Sequence, residues 1–132
     1  MRHRTRNERG GSSVELAVTA PLLLLLILAT VQAGLWAHAI HVTHAAADAA
    51  VESTRLTDGS AAAGTARARR ILQRLGGGLV LAPDVTVSRT PSTARVTIAA
   101  GIEHVVPGLH PHTRVTVTAP VERFTPSTGG AP

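Results

Sequence analysis

The sequence predicts an α+β membrane protein: a long N-terminal transmembrane helix that continues outside, a second short helix and a three-stranded antiparallel β-sheet. Residues 16–37 carry no ionisable side chain. Residues 38–56 contain no glycine or proline and are rich in alanine, a strong helix former. Three later runs, at residues 85–88, 95–98 and 114–118, alternate apolar and polar residues with the period of two expected of half-buried strands.

The apolar run at residues 16–37 is long enough to cross a membrane. Its 22 positions, at about 1.5 Å each, span roughly 30 Å as a helix, the thickness of a bilayer hydrocarbon core. Trp36 lies at its outer end, where an indole ring favours the membrane interface. Pro21 lacks a backbone donor inside this helix, so we expect a mild kink there.

The formal net charge of +5 is concentrated ahead of this run. Four arginines and one glutamate stand within residues 1–10, whereas residues 11–132 carry nine arginines and seven acids. This cluster predicts a single-pass protein of the cell membrane with its N-terminus in the cytoplasm and its C-terminal domain outside. Because aromatic residues make up only 2% of the chain, nucleic acid is not an expected partner. The absence of cysteine excludes disulfides and thiolate metal sites.

The first helix is expected from about residue 13 to residue 55, before the turn signal Asp58-Gly59. Its outer half has a polar side that includes the favourably spaced pair Glu52 and Arg55. The opposite side is narrow and weakly apolar, and consists of Ile40, Val42, Ala46, Ala49 and Val51.

The second helix is expected at residues 61–75, and glycines 76–78 end it and provide a flexible hinge. Its apolar face consists of Ala68, Ile71, Leu72 and Leu75. The three strands form a meander, with a hairpin loop at residues 90–93 and a longer connection at residues 105–111. One face of this sheet is available to pack on the helices.

The junction at residues 9–21 is the most informative segment. Basic residues lead into small ones and then into Glu15, a carboxylate that is costly at the edge of a span unless it lies at the headgroups or has a partner. Gly-x-x-x-x-Glu at the mouth of an apolar helix resembles the class III signal of type IV pilin-like proteins. With Pro21 and the surrounding leucine run, the segment resembles the TadE-like family of the tight-adherence (Flp-type) pilus systems.

The resemblance implies that a prepilin peptidase cuts between Gly10 and Gly11, which leaves Glu15 as the fifth mature residue. A cut after Gly11 would make Glu15 the fourth, a poorer match. We expect the new amine of Gly11 to pair with Glu15 of a neighbouring subunit in a low-dielectric environment. The same residues also fit simple helix capping, with Ser12 or Ser13 as the N-cap and Glu15 near the second or third helical position.

This pattern divides the chain into four segments: a basic cytoplasmic leader (1–10), a TadE-like segment (11–57), an extracytoplasmic α+β domain (58–124) and a disordered tail (125–132). The implied partners are membrane lipid, prepilin peptidase and other pilin-like or pilus-assembly subunits. No catalytic triad and no phosphate-binding loop is visible, so we expect neither enzymatic activity nor a cofactor.

Histidines and arginines form two further clusters. His38, His41 and His44 recur every three residues, but three such steps diverge around a helix, which favours a solvated stripe over a metal site. A metal site at His110 and His112 is equally disfavoured. The remaining cluster, which is a solvated helix face by default and otherwise a contact for anionic headgroups or a partner subunit, consists of Arg67, Arg69, Arg70 and Arg74.

Two functions compete. The first is a pseudopilin-like component of a tight-adherence pilus or related secretion apparatus. The second is a binding module, secreted or membrane-anchored, behind an ordinary signal sequence, because Ala37-His38-Ala39 fits the small-x-small rule for signal peptidase. Against the second, the apolar run exceeds the length of about 7–15 residues that is typical of a signal peptide.

Overall fold

The computed structural model describes residues 9–123, so most of the leader and the predicted disordered tail lie outside the described residues. The elements are α1 (Arg9–Arg55), α2 (Ala61–Leu75), β1 (Val80–Arg89), β2 (Thr93–Ile102) and β3 (His112–Pro120). The predicted fold class is confirmed, because a long apolar helix is followed by a short helix and a three-stranded antiparallel sheet.

Helix α1 is continuous over 47 residues. It ends at Arg55 as predicted, and the next turn is closed by the Gly59 N–H donating to the Leu56 carbonyl at 2.9 Å. It begins at Arg9, about four residues earlier than predicted, so the small residues at 10–13 are helical. The helix also continues through Pro21, where the kink stays a prediction.

Helix α2 is delimited by caps at both ends. The Ser60 side chain accepts a hydrogen bond from the Ala63 N–H at 3.1 Å, and the Gly76 N–H donates to the Leu72 carbonyl at 2.8 Å. On the predicted apolar face, Leu72 is buried whereas Leu75 is 55% exposed. Leu75 is the last residue of α2, and the chain leaves the helix at Gly76.

The sheet has the order β1-β2-β3 with both pairs antiparallel, which confirms the predicted meander. Ile98 in the central strand faces Val85 on one side and Val115 on the other. The strands extend beyond the predicted runs, and β1 carries an irregularity between Leu81 and Asp84.

The core lies between a helix layer and the sheet. The small residues of α1 allow the sheet and α2 to approach closely, and its buried face is wider than predicted because both pack against it. The apolar core cluster consists of Val42, Ala46, Ala47, Ala50, Val51, Ala68, Leu72, Ala94, Val96, Ile98 and Val115. Thr43 and Thr54 are also buried in α1, and each donates to its own helix at 2.7 Å. The outer half of α1 is therefore an integral part of the α+β unit.

The two ends of this unit contact α1 at different positions along the helix. At the proximal end (residues 75–81 and 103–112), the loop after β2 is bonded to Gln32. At the distal end (residues 56–60, 89–93 and 120–123), the Glu122 N–H donates to the Arg55 carbonyl at 3.0 Å. Gln32 and Arg55 are about 35 Å apart along the helix at 1.5 Å per residue, so the unit lies alongside α1.

Candidate functional site: the exposed N-terminal half of α1

The N-terminal half of α1 exposes an unbroken apolar surface. Every side chain from residue 11 to residue 31 is exposed except that of Leu28, which is half-buried. We call residues 14–31 the span segment. Its large apolar side chains other than Leu28 are 47–68% exposed, among them Leu16 at 68% and Leu25 at 54%. Apart from the loop after β2, which reaches its outer end, no element of residues 9–123 covers this surface, and its exposure to water would be strongly unfavourable.

The helix is long and apolar enough to cross a membrane. The 18 residues of the span segment are about 27 Å long at 1.5 Å per residue, close to the thickness of a hydrocarbon core. A single N-terminal membrane span is therefore consistent with the structure, while the inside-to-outside orientation stays a prediction.

Two polar side chains near the outer end of this span are satisfied in different ways. The Thr30 hydroxyl donates to the Leu26 carbonyl of its own helix at 2.9 Å. Gln32 is only 5% exposed, and its amide bridges two backbone groups of the loop after β2. Its Nε2 donates to the Glu103 carbonyl at 3.2 Å, and its Oε1 accepts from the Val105 N–H at 2.8 Å.

The predicted processing residues lie at the first two turns of α1. Nothing packs within 4 Å of the position that a Gly11 side chain would occupy. Glu15 is exposed and forms no ion pair or hydrogen bond within residues 9–123. The capping interpretation was wrong, because the helix already begins at Arg9 and both Ser12 and Ser13 lie inside it.

The N-terminal part of the chain matches a known protein family. Residues 10–52 match the family model described as TadE-like protein. This segment is similar to the TadE-like family. The match begins at Gly10 and includes Glu15, Pro21 and the whole span segment, so the resemblance inferred from the motif is confirmed. No curated protein and no solved structure matches the chain.

The matched residues end at position 52, within the outer half of α1, and the rest of the chain lies outside the match. The match therefore covers the span segment and most of the α1 surface on which the sheet and α2 pack. The scissile bond proposed from the motif, Gly10–Gly11, lies within the first turn of α1. Each glycine lowers helix stability by about 0.5–1 kcal/mol relative to alanine, which favours local opening at this end. The processing assignment itself stays a prediction.

The histidines are not gathered into a metal centre within residues 9–123, where no group of three or more His, Cys, Asp or Glu side chains is placed to hold an ion. His38, His41 and His44 are all exposed on α1. His110 lies close to His104, with ring centroids 5.0 Å apart and ring planes tilted by 45°, and not to His112. A turn at residues 106–109, closed by the Leu109 N–H donating to the Val106 carbonyl, brings positions 104 and 110 together.

The charged groups at the distal end connect the end of α1 with the segment that follows β3. Arg55 donates to both carboxylate oxygens of Glu52, at 2.6 and 2.9 Å, and also lies 3.2 Å from Glu122 Oε1. The hydrogen bond from Arg55 lowers the pKa of Glu52 below its ordinary value of 4.5 and correspondingly raises the pKa of Arg55. The helical pair was predicted, whereas the contact with Glu122 required the fold. The arginines of α2 are all exposed, as a solvated face predicts: Arg67, Arg69, Arg70 and Arg74.

Proposed function

We propose that this protein is a non-enzymatic, pseudopilin-like membrane component of a tight-adherence (Flp-type) pilus or a related secretion apparatus. One observation carries the proposal: the family match coincides with a helix half that is apolar, exposed and long enough to span a membrane. The TadE-like family implies involvement in pilus assembly. A helix that anchors a small folded unit and leaves its N-terminal half free suits assembly with other helices.

The span segment offers a surface for such assembly. Small side chains let helix backbones approach closely within a membrane. The small residues of the span segment and of the helical turn after it are all exposed: Ala17, Ala20, Ala29, Ala33 and Gly34. Ala17 and Ala20, which lie away from the α+β unit, are available to a neighbouring helix of the pilus apparatus.

Glu15 has a distinct role in this proposal. A carboxylate that has no partner within residues 9–123 is costly where the hydrocarbon begins. After cleavage by prepilin peptidase, the amine of Gly11 in one subunit is expected to neutralise Glu15 in the next and to fix the stagger between them. This arrangement requires the N-terminus to face the cytoplasm, where the arginines of the leader hold it.

The competing secreted module is disfavoured by the structure. Signal peptidase would have to cut after Ala39, which would divide the continuous α1 at a buried position of the α+β unit. A cut there would also remove Gln32 and its two hydrogen bonds to the loop after β2.

The test is complementation of a deletion strain, with surface pili and the mass of the mature protein as the two readouts. We expect deletion to abolish or strongly reduce pili, and Glu15→Ala and Glu15→Gln to fail to restore them. Thr19→Ala, an exposed polar position in the same helix, is the control and should restore them. Normal pili after deletion would contradict the proposed function, and intact processing and assembly in Glu15→Ala would refute the role of the carboxylate.

A further inference from the structure

The loop between β2 and β3 (residues 103–111, here the β2–β3 loop) leans against the outer end of the span segment. It is tied there by the two hydrogen bonds of Gln32. A shallow groove of about 370 Å³ separates the loop from α1. Its lining is almost entirely apolar: Ala29, Ala33, Trp36, Val106, Leu109 and Pro111, with Gln32 as the polar member.

Exposed apolar side chains are concentrated at this end of the α+β unit. Outside the span segment, the large hydrophobic side chains that the described residues expose are Trp36, Leu56, Leu75, Leu81, Val105 and Leu109. Only Leu56 belongs to the distal end. The other five lie at the proximal end or beside it on α1, and two of them, Trp36 and Leu109, line the groove that reaches Ala29 of the span segment.

The depth of the loop follows from the length of α1. If the Glu15 carboxylate marks the inner headgroups, a hydrocarbon core of about 30 Å reaches roughly 20 residues further along a helix, to the region of Leu35. A typical tilt of about 20° moves this boundary outward by about one residue. Gln32 and the loop groups bonded to it therefore lie just inside the outer boundary.

The loop backbone is suited to such a depth. An unpaired N–H is costly in hydrocarbon, and two of the nine loop positions are proline, which has none. Four others donate a backbone hydrogen bond. The donors are the N–H groups of Glu103 to the Leu79 carbonyl, His104 to the Glu103 side chain, Val105 to Gln32 and Leu109 to the Val106 carbonyl. Pro107 and Gly108, with φ of 80° at Gly108, suit this turn. The remaining three donors, in Val106, Gly108 and His110, limit insertion to a depth that water still reaches.

We propose that the β2–β3 loop inserts shallowly into the outer leaflet beside α1, with Gln32 as the residue that positions it and lipid acyl chains as the occupants of the groove. The proximal end then rests on the membrane. Arg70 and Arg74, in the last turns of α2 at the same end, are available to lipid phosphates. The inference rests on α1 spanning the membrane, as the proposed function requires.

The chain contains no cysteine, so single cysteines can be placed without background. Leu109→Cys in the loop and Leu56→Cys at the distal end form a matched pair, because both leucines are 43% exposed. Leu25→Cys reports on the span segment. Each variant of the full-length protein is labelled with a nitroxide and reconstituted into vesicles of phosphatidylcholine and phosphatidylglycerol. Electron paramagnetic resonance then gives the ratio of oxygen to nickel-chelate accessibility, which rises with depth in the bilayer.

We expect this ratio to be highest at position 25 and several-fold higher at position 109 than at position 56. At position 56 it should have the low value of a label in water. A low ratio at position 109, as for a label in water, together with a high ratio at position 25 overturns the inference but leaves the membrane span intact. A low ratio at position 25, as for a label in water, contradicts the membrane span and hence the proposed function. Low accessibility to both reagents at position 109 would mean that a neighbouring protein covers the loop, which also overturns the lipid assignment.

The positioning role of Gln32 has its own readout. When Gln32→Ala is added to Leu109→Cys, the label at position 109 should become more mobile. Its ratio of oxygen to nickel-chelate accessibility should fall below that of the Leu109→Cys protein. Thr30→Ala is the control, because the Thr30 hydroxyl bonds only to its own helix and not to the loop. An unchanged spectrum and depth in Gln32→Ala would refute the role of the amide.

Discussion

Gly64 of α2 is buried against α1, with little space for a side chain. A Cβ added there would overlap the Oγ1 of Thr54, lie 3.0 Å from the Ala50 carbonyl oxygen and 3.3 Å from a methyl group of Val87. The Thr54 hydroxyl cannot simply rotate away, because it donates to the Ala50 carbonyl at 2.7 Å in a fully buried site. Gly64→Ala must therefore push the helices apart or break this bond.

The magnitude follows from two opposing effects. Overpacking of a well-packed core costs about 1–3 kcal/mol, and the higher helix propensity of alanine returns about 0.5–1 kcal/mol. We expect a net loss of about 0.5–2 kcal/mol, and about 4–8 °C in Tm for each kcal/mol in a domain of this size. Gly34→Ala is the matched control, because Gly34 is also helical but has nothing within 4 Å of its added Cβ. It should leave stability unchanged or slightly raised.

The assay is thermal unfolding of the full-length protein in detergent micelles, followed by circular dichroism. Adding Thr54→Ala to Gly64→Ala removes the nearest obstructing atom and should recover part of the loss, with a coupling of about 0.5–3 kcal/mol between these contacting residues. A Gly64→Ala protein as stable as Gly34→Ala would refute the close approach of α1 and α2.

Three further predictions concern the α+β unit. Ser60→Ala removes the N-cap that accepts from the Ala63 N–H and should cost about 0.5–2 kcal/mol; no shift in Tm would contradict the cap. Ile98→Ala empties a fully buried site of the central strand and should cost about 2–5 kcal/mol in the same assay, more than any exposed leucine replaced by alanine. Because the pKa of Glu52 is lowered in the folded protein, its ion pair with Arg55 stabilises the fold above the ordinary value of 4.5 and is lost as the pH falls below it. Glu52→Gln should therefore lose less stability than the wild type between neutral pH and acid, and equal slopes would contradict the pairing.

The elements of the fold were accessible from the sequence because each has a strong local signal. The leucine run, the alanine-rich stretch and the alternating strands fixed the order of elements and the end of α1 at Arg55. The start of α1 was placed too late, since glycine and serine at positions 10–13 have low helix propensity and the helix nonetheless extends through them.

Tertiary features were less accessible. The buried face of α1 was predicted to be narrow because alanine at Ala47 or Ala50 carries little hydrophobic signal, yet both are 0% exposed between α2 and the sheet. Gln32 was visible only as a polar residue within an apolar run. Its partners, at Glu103 and Val105, are more than 70 positions away, and no pattern in the sequence connects them.

The candidate site also has one part that the sequence predicts and one part that depends on the fold. The motif at Gly10, Gly11 and Glu15 was evident from spacing, and the family match begins at the first of these residues. The groove beside Trp36 depends on how the β2–β3 loop folds back onto α1, which only the three-dimensional arrangement reveals.

The central claim is that α1 carries a pilin-like processing signal and then remains as a membrane anchor. N-terminal sequencing of the mature protein, purified from membranes of cells that contain the prepilin peptidase, tests it most directly. Cleavage after Gly10 gives a mature chain that starts at Gly11 and retains Glu15 as its fifth residue. A mature chain that starts at Ile40, or one that keeps Met1, would contradict it.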